Sequence, residues 1–363
     1  MRYSYVDTLR SLENLLRCAV HASAPFMFIP NPIWPTRSEV THSQFIDGLI
    51  FLMHSQTMEV FFATNGFFTL MLLEKYDYKA FIINRLRRIV IPLAVGLLTL
   101  IPIIITISLS WQNHISLTKA ASLVPQYFAE KPIPLAHLWS LWYLLLIYGV
   151  YLIGVSFLEK FNIDINQILS ATNLKTILTF SIATASLMMM VYHRRFSSAP
   201  TDTWFESPMF VYFISYFSLG AWFFRHKEQQ AHFTTPKYLW VVFILSLALN
   251  STFQLADLQR FSFLKIIGPI AYVVQTHCMI IYIVKAMMSF NKYPQFFKRF
   301  AEASYWTYWI ELPIILLCQW LWLDTIPAWL LLPASIFITF FIGYQSFHLG
   351  FRHSRLAKWL GFV

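Results

Sequence analysis

Five polar residues near the start of the chain, Asp7, Arg10, Asn14, Arg17 and His21, follow one another at intervals of 3, 4, 3 and 4. In a helix that spacing puts them on one face, with Glu13 at its edge and Leu, Ala, Val and Phe opposite. The surrounding residues read as a membrane span over 9–29, where each ionisable group costs roughly 2.5–3.5 kcal/mol on insertion scales. One compensation is a packing seam in which acid meets base between helices. The other is a polar cavity leading from the cytoplasmic surface to His21. At 1.5 Å per residue His21 then lies roughly 18 Å deep, past the middle of a hydrocarbon core about 30 Å thick. A histidine held there by charged neighbours suits proton transfer, because small shifts move its charge across neutrality.

Other polar groups stand out against apolar sequence. Arg85, Arg87 and Arg88 come just before Pro92. They read equally as positive-inside anchors and as guanidinium forks for phosphate oxygens. Glu59 opens the deep part of a second apolar run and is a candidate partner for the first-span arginines, while His277 reads as well as a satisfied packing histidine. The stretch His193–Glu206 gathers His193, Arg194, Arg195, Asp202, Trp204 and Glu206, which suits either a solvated loop or a sugar-binding lip.

The elements that must carry these groups are membrane helices. Charged residues are 12% of the 363 and hydrophobic ones 57%, against about 25% charged in soluble domains. Runs of about 20 apolar residues recur, predicting spans over 9–29, 50–73, 89–110, 138–158, 174–191, 208–225, 237–254, 263–285, 304–322 and 328–350. The approach 44–56 mixes Asp47, His54 and Gln56 into the second run and reads as an interfacial helix. Trp111, Trp139, Trp204 and Trp240 fall near span ends, as interface anchors do. Asp7, Arg10, Glu13 and Arg17 interrupt the N-terminal apolar stretch, so it does not read as a cleavable signal. Cys18, Cys278 and Cys318 read as small buried hydrophobes. Lys and Arg divide between alternate loops about 18 to about 7, which puts both termini in the cytoplasm. The net charge of +10 belongs to this pattern of span ends, and nucleic-acid binding is set aside. With no internal repeat or soluble insert, residues 1–363 read as one domain: an all-α bundle of about ten transmembrane helices.

Several segments resemble the acyltransferase 3 membrane family. Tyr5-Val-Asp-Thr-Leu-Arg10, ten residues, then His21 is similar to that family's opening. Met58-Glu-Val-Phe-Phe-Ala-Thr-Asn-Gly-Phe-Phe resembles its second-span signature, and Arg85-Leu-Arg-Arg88 through Pro92 its Arg-x-x-Arg segment. His137-Leu-Trp-Ser-Leu-Trp and Ser304-Tyr-Trp-Thr-Tyr-Trp-Ile-Glu311-Leu-Pro resemble two later motifs. Order and spacing look most similar to the glucans biosynthesis protein C branch, which implies succinylation of periplasmic glucans. Asn65 stands where the family usually has Ser, and Glu311 where it usually has His. The resemblance implies a bacterial inner-membrane enzyme moving a succinyl or acetyl group from acyl-CoA to a glycan hydroxyl. It implies catalytic roles around His21, Arg10, Asp7, Arg17, Glu59 and Glu311, donor contacts from Arg85 and Arg88, and substrate contacts from His137, Trp139 and Asn65. No permanently bound cofactor or metal is implied.

Two other function classes fit the same stripe. A proton-coupled transporter would use it as a relay, although no repeated halves or paired Gly/Pro-broken spans are visible. An inactive family member kept as a scaffold would account for Glu311.

Overall fold

The computed structural model describes residues 4–192, 199–201, 203, 205–227, 238–255, 264–289 and 294–362. The described residues form helices joined by irregular segments and contain no strand, only an isolated bridge between Met27 and Ser43. In chain order the helices are α1 Ser4–Ser23, α2 Gln44–Leu73, α3 Tyr78–Arg85, α4 Ile91–Asn113, α5 Leu117–Glu130, α6 Trp139–Glu159 and α7 Ile165–Ala171. There follow α8 Leu174–Val191, α9 Ser207–Arg225, α10 Tyr238–Leu255, α11 Leu264–Ser289, α12 Pro294–Trp322, α13 Ala328–Leu349 and α14 Arg355–Trp359.

Six helical stretches among the described residues are long and apolar enough to cross a bilayer. They are Tyr78–Asn113, Ala136–Glu159, Leu174–Val191, Ser207–Arg225, Lys265–Ala286 and Ala328–His353, with a shorter apolar run at Tyr238–Leu249. The chain is a multi-pass helical membrane protein. The long helices α1, α2 and α12 fall outside this set, and α1 packs against both of the others. Their polar faces therefore meet inside the bundle, where lipid does not have to solvate them.

Helix ends differ from the sequence expectation for identifiable reasons. The first helix ends at Ser23 rather than near residue 29, because Pro25 lacks an N–H and opens a short 3-10 turn over Ala24–Phe26. His21 consequently stands in the last turn of α1, not at mid-span. The expected interfacial helix over 44–56 is continuous with the second span. The third span starts early: α3 runs through a π turn, Leu86–Val90, directly into α4. The expected seventh and eighth spans begin at 237 and 263, one residue outside the described residues in each case. The ninth span is longer than expected, beginning at Pro294. Helix α5 occupies what reads from sequence as a loop.

Backbone contact fixes the crossing of α2 and α9. A Cβ on Gly66 would sit 1.9 Å from the Phe217 carbonyl oxygen, and one on Gly220 would sit 1.7 Å from that of Ala63. Only glycine fits at such a crossing, the small-residue route by which membrane helices approach closely.

Candidate functional site

The site grows from the α1 stripe meeting a matching stripe on α12. Ser304, Tyr308 and Glu311 lie 4 and 3 residues apart, so they share a face of α12 as Asn14, Arg17 and His21 share a face of α1. Arg17 joins the two. Its Nε donates to Glu311 Oε1 at 2.5 Å, its Nη1 to Glu13 Oε1 at 3.1 Å, and its Nη2 to Asn14 Oδ1. The guanidinium also lies over the Tyr308 ring, 4.4 Å from its centroid. Asn14 donates to the Ser304 carbonyl at 3.3 Å, and the Cys18 thiol donates to Glu311 Oε2 at 3.0 Å. Glu311 is fully buried, yet both its oxygens are engaged.

His21 Nδ1 lies 3.4 Å from Glu311 Oε1. The His21 side chain keeps 18% of its surface exposed, against none for Glu311. Since Nδ1 is itself buried, that exposure belongs to the rest of the side chain. At that distance the contact is electrostatic rather than a formed hydrogen bond, and a carboxylate there favours a proton on Nδ1 and leaves Nε2 to accept one.

Two prolines complete the frame by releasing carbonyls that side chains then cap. Pro313 has no N–H for the Trp309 carbonyl four residues back, and His137 Nε2–H donates to that oxygen at 3.0 Å. This bond makes His137 Nε2 the protonated nitrogen. Its Nδ1 is buried with no hydrogen-bond partner, and the ring lies within electrostatic reach of Glu311, His21 and Arg17. Tyr308 ties the same region together, its hydroxyl donating to the His137 carbonyl at 2.9 Å with Ser140 Oγ 3.1 Å away. Pro92 likewise gives no N–H to the Arg88 carbonyl, and the Tyr305 hydroxyl donates there at 2.5 Å.

The arginines form a second centre. Arg85 donates to Asn84 Oδ1 at 2.6 Å and to the Tyr148 hydroxyl at 3.3 Å, and its guanidinium faces the Phe81 and Tyr148 rings. Arg88 is exposed and is repelled by Arg85 and Arg10 together. Arg10 lies over the Phe68 ring at 5.9 Å and belongs with this cationic mouth. Sequence reasoning put Arg10 beside His21, but eleven residues of helix separate them by roughly 16 Å. The π turn holds Arg87 and Arg88, and such one-turn irregularities recur at functional sites.

The remaining candidates separate. Asn65 donates to the Phe61 carbonyl and accepts from Tyr148 at 3.4 Å, which links it to the Arg85 centre. Asp7 is buried in the first turns of α1. Glu59 is fully buried and accepts from the Tyr212 hydroxyl on α9 at 2.7 Å. Trp139 is buried among Phe62, Tyr143 and Phe213, so it packs the core instead of anchoring an interface. Of the 193–206 lip, His193, Arg194, Arg195, Asp202 and Trp204 lie outside the described residues. Glu206 accepts from the Tyr192 hydroxyl. The three cysteines are free and buried, as expected. Sequence reasoning missed Tyr308, Gln319 and Trp34. The first two carry a signal, polar residues at helical spacing from Glu311, whereas Trp34 sits in a proline-rich loop without periodicity.

Comparison with protein families matches residues 3–346 to the acyltransferase 3 family, described as an acyltransferase domain. The chain belongs to that family. It is accordingly a membrane acyltransferase, and a family member's work requires an acyl donor, an acceptor and the bilayer around it. No match is found among curated proteins or among solved structures.

Proposed function

We propose that this acyltransferase takes a succinyl or acetyl group from cytoplasmic acyl-CoA and places it on a hydroxyl of an envelope or periplasmic glycan. It works in a bacterial inner membrane that it crosses ten times, with both termini cytoplasmic. The observation that carries the reading is the His21–Glu311 pair at 3.4 Å, held by Arg17 in a buried polar cluster.

In this mechanism His21 is the general base. It takes the proton of the acceptor hydroxyl while that oxygen attacks the thioester carbonyl, a contribution typically worth 10²–10⁴-fold. The C–S bond then breaks, and the imidazolium returns the proton to the leaving sulfur. Arg17 is a positioning residue: all three of its nitrogens already donate within the protein. Arg17 bridges Glu13 and Glu311, and the Glu311 carboxylate 3.4 Å from Nδ1 favours the imidazolium as it forms.

The donor's phosphates suit the Arg10, Arg85 and Arg88 mouth, where mutually repelling guanidiniums favour an anion. The loops at that end support the topology. Glu74 pairs with Arg225 at 3.2 Å and Lys227 at 3.0 Å, and Gly361 packs on the Arg87 backbone. These segments all belong to the Lys/Arg-rich set of loops. His21 lies toward the other end, so donor head and acceptor approach from opposite sides. The succinyl or acetyl group and the glycan acceptor rest on motif likeness to the glucans biosynthesis protein C branch.

The test is single-turnover consumption of succinyl-CoA and acetyl-CoA by purified protein, with and without a glucan acceptor. Acceptor-dependent thiol release and an acyl mass on the glucan are expected. No release from either thioester, with the protein folded, sinks the reading.

A further inference from the structure

Residues 24–43, between α1 and α2, are laid as a strap across the end of α1. Asp47, in the first turn of α2, accepts the backbone N–H groups of Phe28 at 2.9 Å and Ile29 at 3.1 Å. Ser38 N–H donates to the Pro25 carbonyl at 3.0 Å, and Ser43 N–H to that of Phe26 at 3.1 Å. At the far side Asp324 accepts from the Glu39 N–H at 2.8 Å and from the Ser38 hydroxyl. Asp324 holds a left-handed backbone, φ +64°, a conformation Asp tolerates better than most residues. The strap is thus fixed without any help from Trp34.

Trp34 nevertheless makes a set of contacts that converge on one residue. Its ring stacks on the His21 imidazole, with centroids 5.3 Å apart and planes 25° from parallel. Its Nε1–H is shared between Thr36 Oγ1 at 3.0 Å and Gln319 Oε1 at 3.2 Å. Thr36 donates to the same Gln319 oxygen at 2.7 Å. The amide nitrogen of Gln319 donates to the backbone carbonyl of His21 at 3.1 Å. Thr36 and Gln319 are 2% and 1% exposed, a costly placement for polar groups unless their bonds are made. The indole is therefore fixed relative to His21 by the His21 backbone itself.

An imidazole beside a carboxylate is not yet oriented. The torsion about its Cβ–Cγ bond is broad, and one contact at Nδ1 leaves the ring free to tilt. Stacking supplies the missing restraint and covers one face of the ring. We infer that Trp34 is a positioning residue for His21, fixing the tilt of the imidazole and closing one of its faces to water. The inference rests on His21 acting as the base of acyl transfer. With the face closed, the acceptor hydroxyl gives its proton to His21, its oxygen bonds the carbonyl carbon, the C–S bond breaks, and ester and thiol result. With the face open, water takes the same route and the products are free acid and thiol.

The experiment compares wild type, Trp34→Phe and Trp34→Leu, each purified and checked for its thermal midpoint. The first readout needs no catalysis: the rate at which diethyl pyrocarbonate modifies His21, followed by mass spectrometry. Trp34→Leu should react severalfold faster and Trp34→Phe, which keeps a stacking ring, close to wild type. The second is the division of succinyl-CoA between transfer and hydrolysis. Trp34→Leu should lose about tenfold in kcat for transfer, as a small misplacement of a catalytic group does, at unchanged KM for the thioester and with a larger hydrolysed share. Trp34→Phe should recover most of this. An unchanged His21 modification rate in folded Trp34→Leu overturns the inference. So do equal losses in Phe and Leu variants that track their thermal midpoints, since Trp34 then only packs. Wild type that consumes no thioester while Trp34 still shields His21 defeats the acyl-transfer reading separately.

Discussion

His21 and His277 are both histidines inside the helical bundle, and each lies in a polar chain that joins several helices. Around His277 the chain is closed. Its Nε2 is 2.9 Å from Ser181 Oγ on α8, its Nδ1 is 2.8 Å from the Val273 carbonyl, and 2% of its surface is exposed. Tyr216 and Tyr212 continue the chain to Glu59 on α2. Every ring nitrogen has a partner, and the network holds α2, α8, α9 and α11 together. Around His21 the carboxylate is saturated while the imidazole is not. Arg17 and Cys18 occupy Glu311, and His21 offers it Nδ1 and keeps part of its ring exposed. The contrast teaches that depth in a membrane does not make a histidine catalytic. What sets His21 apart is a ring nitrogen not spent on packing, beside a carboxylate that Arg17 and Cys18 hold in place.

The sharpest way to break the comparison is to remove the proton acceptor from each chain. His21→Gln should lower acyl transfer by about 10²–10⁴-fold while leaving thioester binding intact. His277→Gln should keep transfer within a few-fold and lower the thermal midpoint instead. Single-turnover thioester loss and thermal unfolding in detergent measure the two. Transfer by His21→Gln at the wild-type rate removes it as the base.

Next in size is the ionic knot. Arg17→Ala strands Glu13 and Glu311 in the bundle and should destabilise the fold by about 3–5 kcal/mol, read from denaturant unfolding in mixed micelles. A change below about 1 kcal/mol would show that the knot is solvated and not the buried network described here.

The arginine mouth should act on binding alone. Loss of charge-assisted bonds worth about 1.5–3 kcal/mol predicts a rise of roughly 10- to 100-fold in the thioester Kd for Arg85→Ala with Arg88→Ala. Lysines should restore only part of this, because the fork geometry is lost. Calorimetric titration with a non-hydrolysable acyl-CoA analogue tests it, and an unchanged Kd makes these arginines topology anchors only.

The smallest effect sharpens the closed chain. Tyr216→Phe removes one hydroxyl between Tyr212 and His277 and should cost about 0.5–1.5 kcal/mol of stability, with transfer unchanged. A large loss of transfer in that variant would mean that the two histidine chains are coupled.

The sequence by itself determined the solvent of this protein, the order of its long apolar helices and the existence of the α1 stripe. Hydrophobic runs and charge spacing are local properties, and a bilayer punishes departures from them strongly. It also pointed to Arg17 and His21 through helical spacing, and to Glu311 and Arg85 with the help of motif likeness. What it left undecided depends on contacts across long stretches of chain. Pro25 moved the end of α1 and with it the depth of His21. Glu59 accepts from Tyr212 on α9, a helix that the glycine crossing brings against α2. Glu311 met Arg17 from nearly three hundred residues away. Trp34 carried no period that could mark it, because an irregular strap is positioned by the carboxylates that pin it rather than by its own repeat. Which polar group finds which partner inside a membrane is decided by helix packing, and only the tertiary structure holds that information.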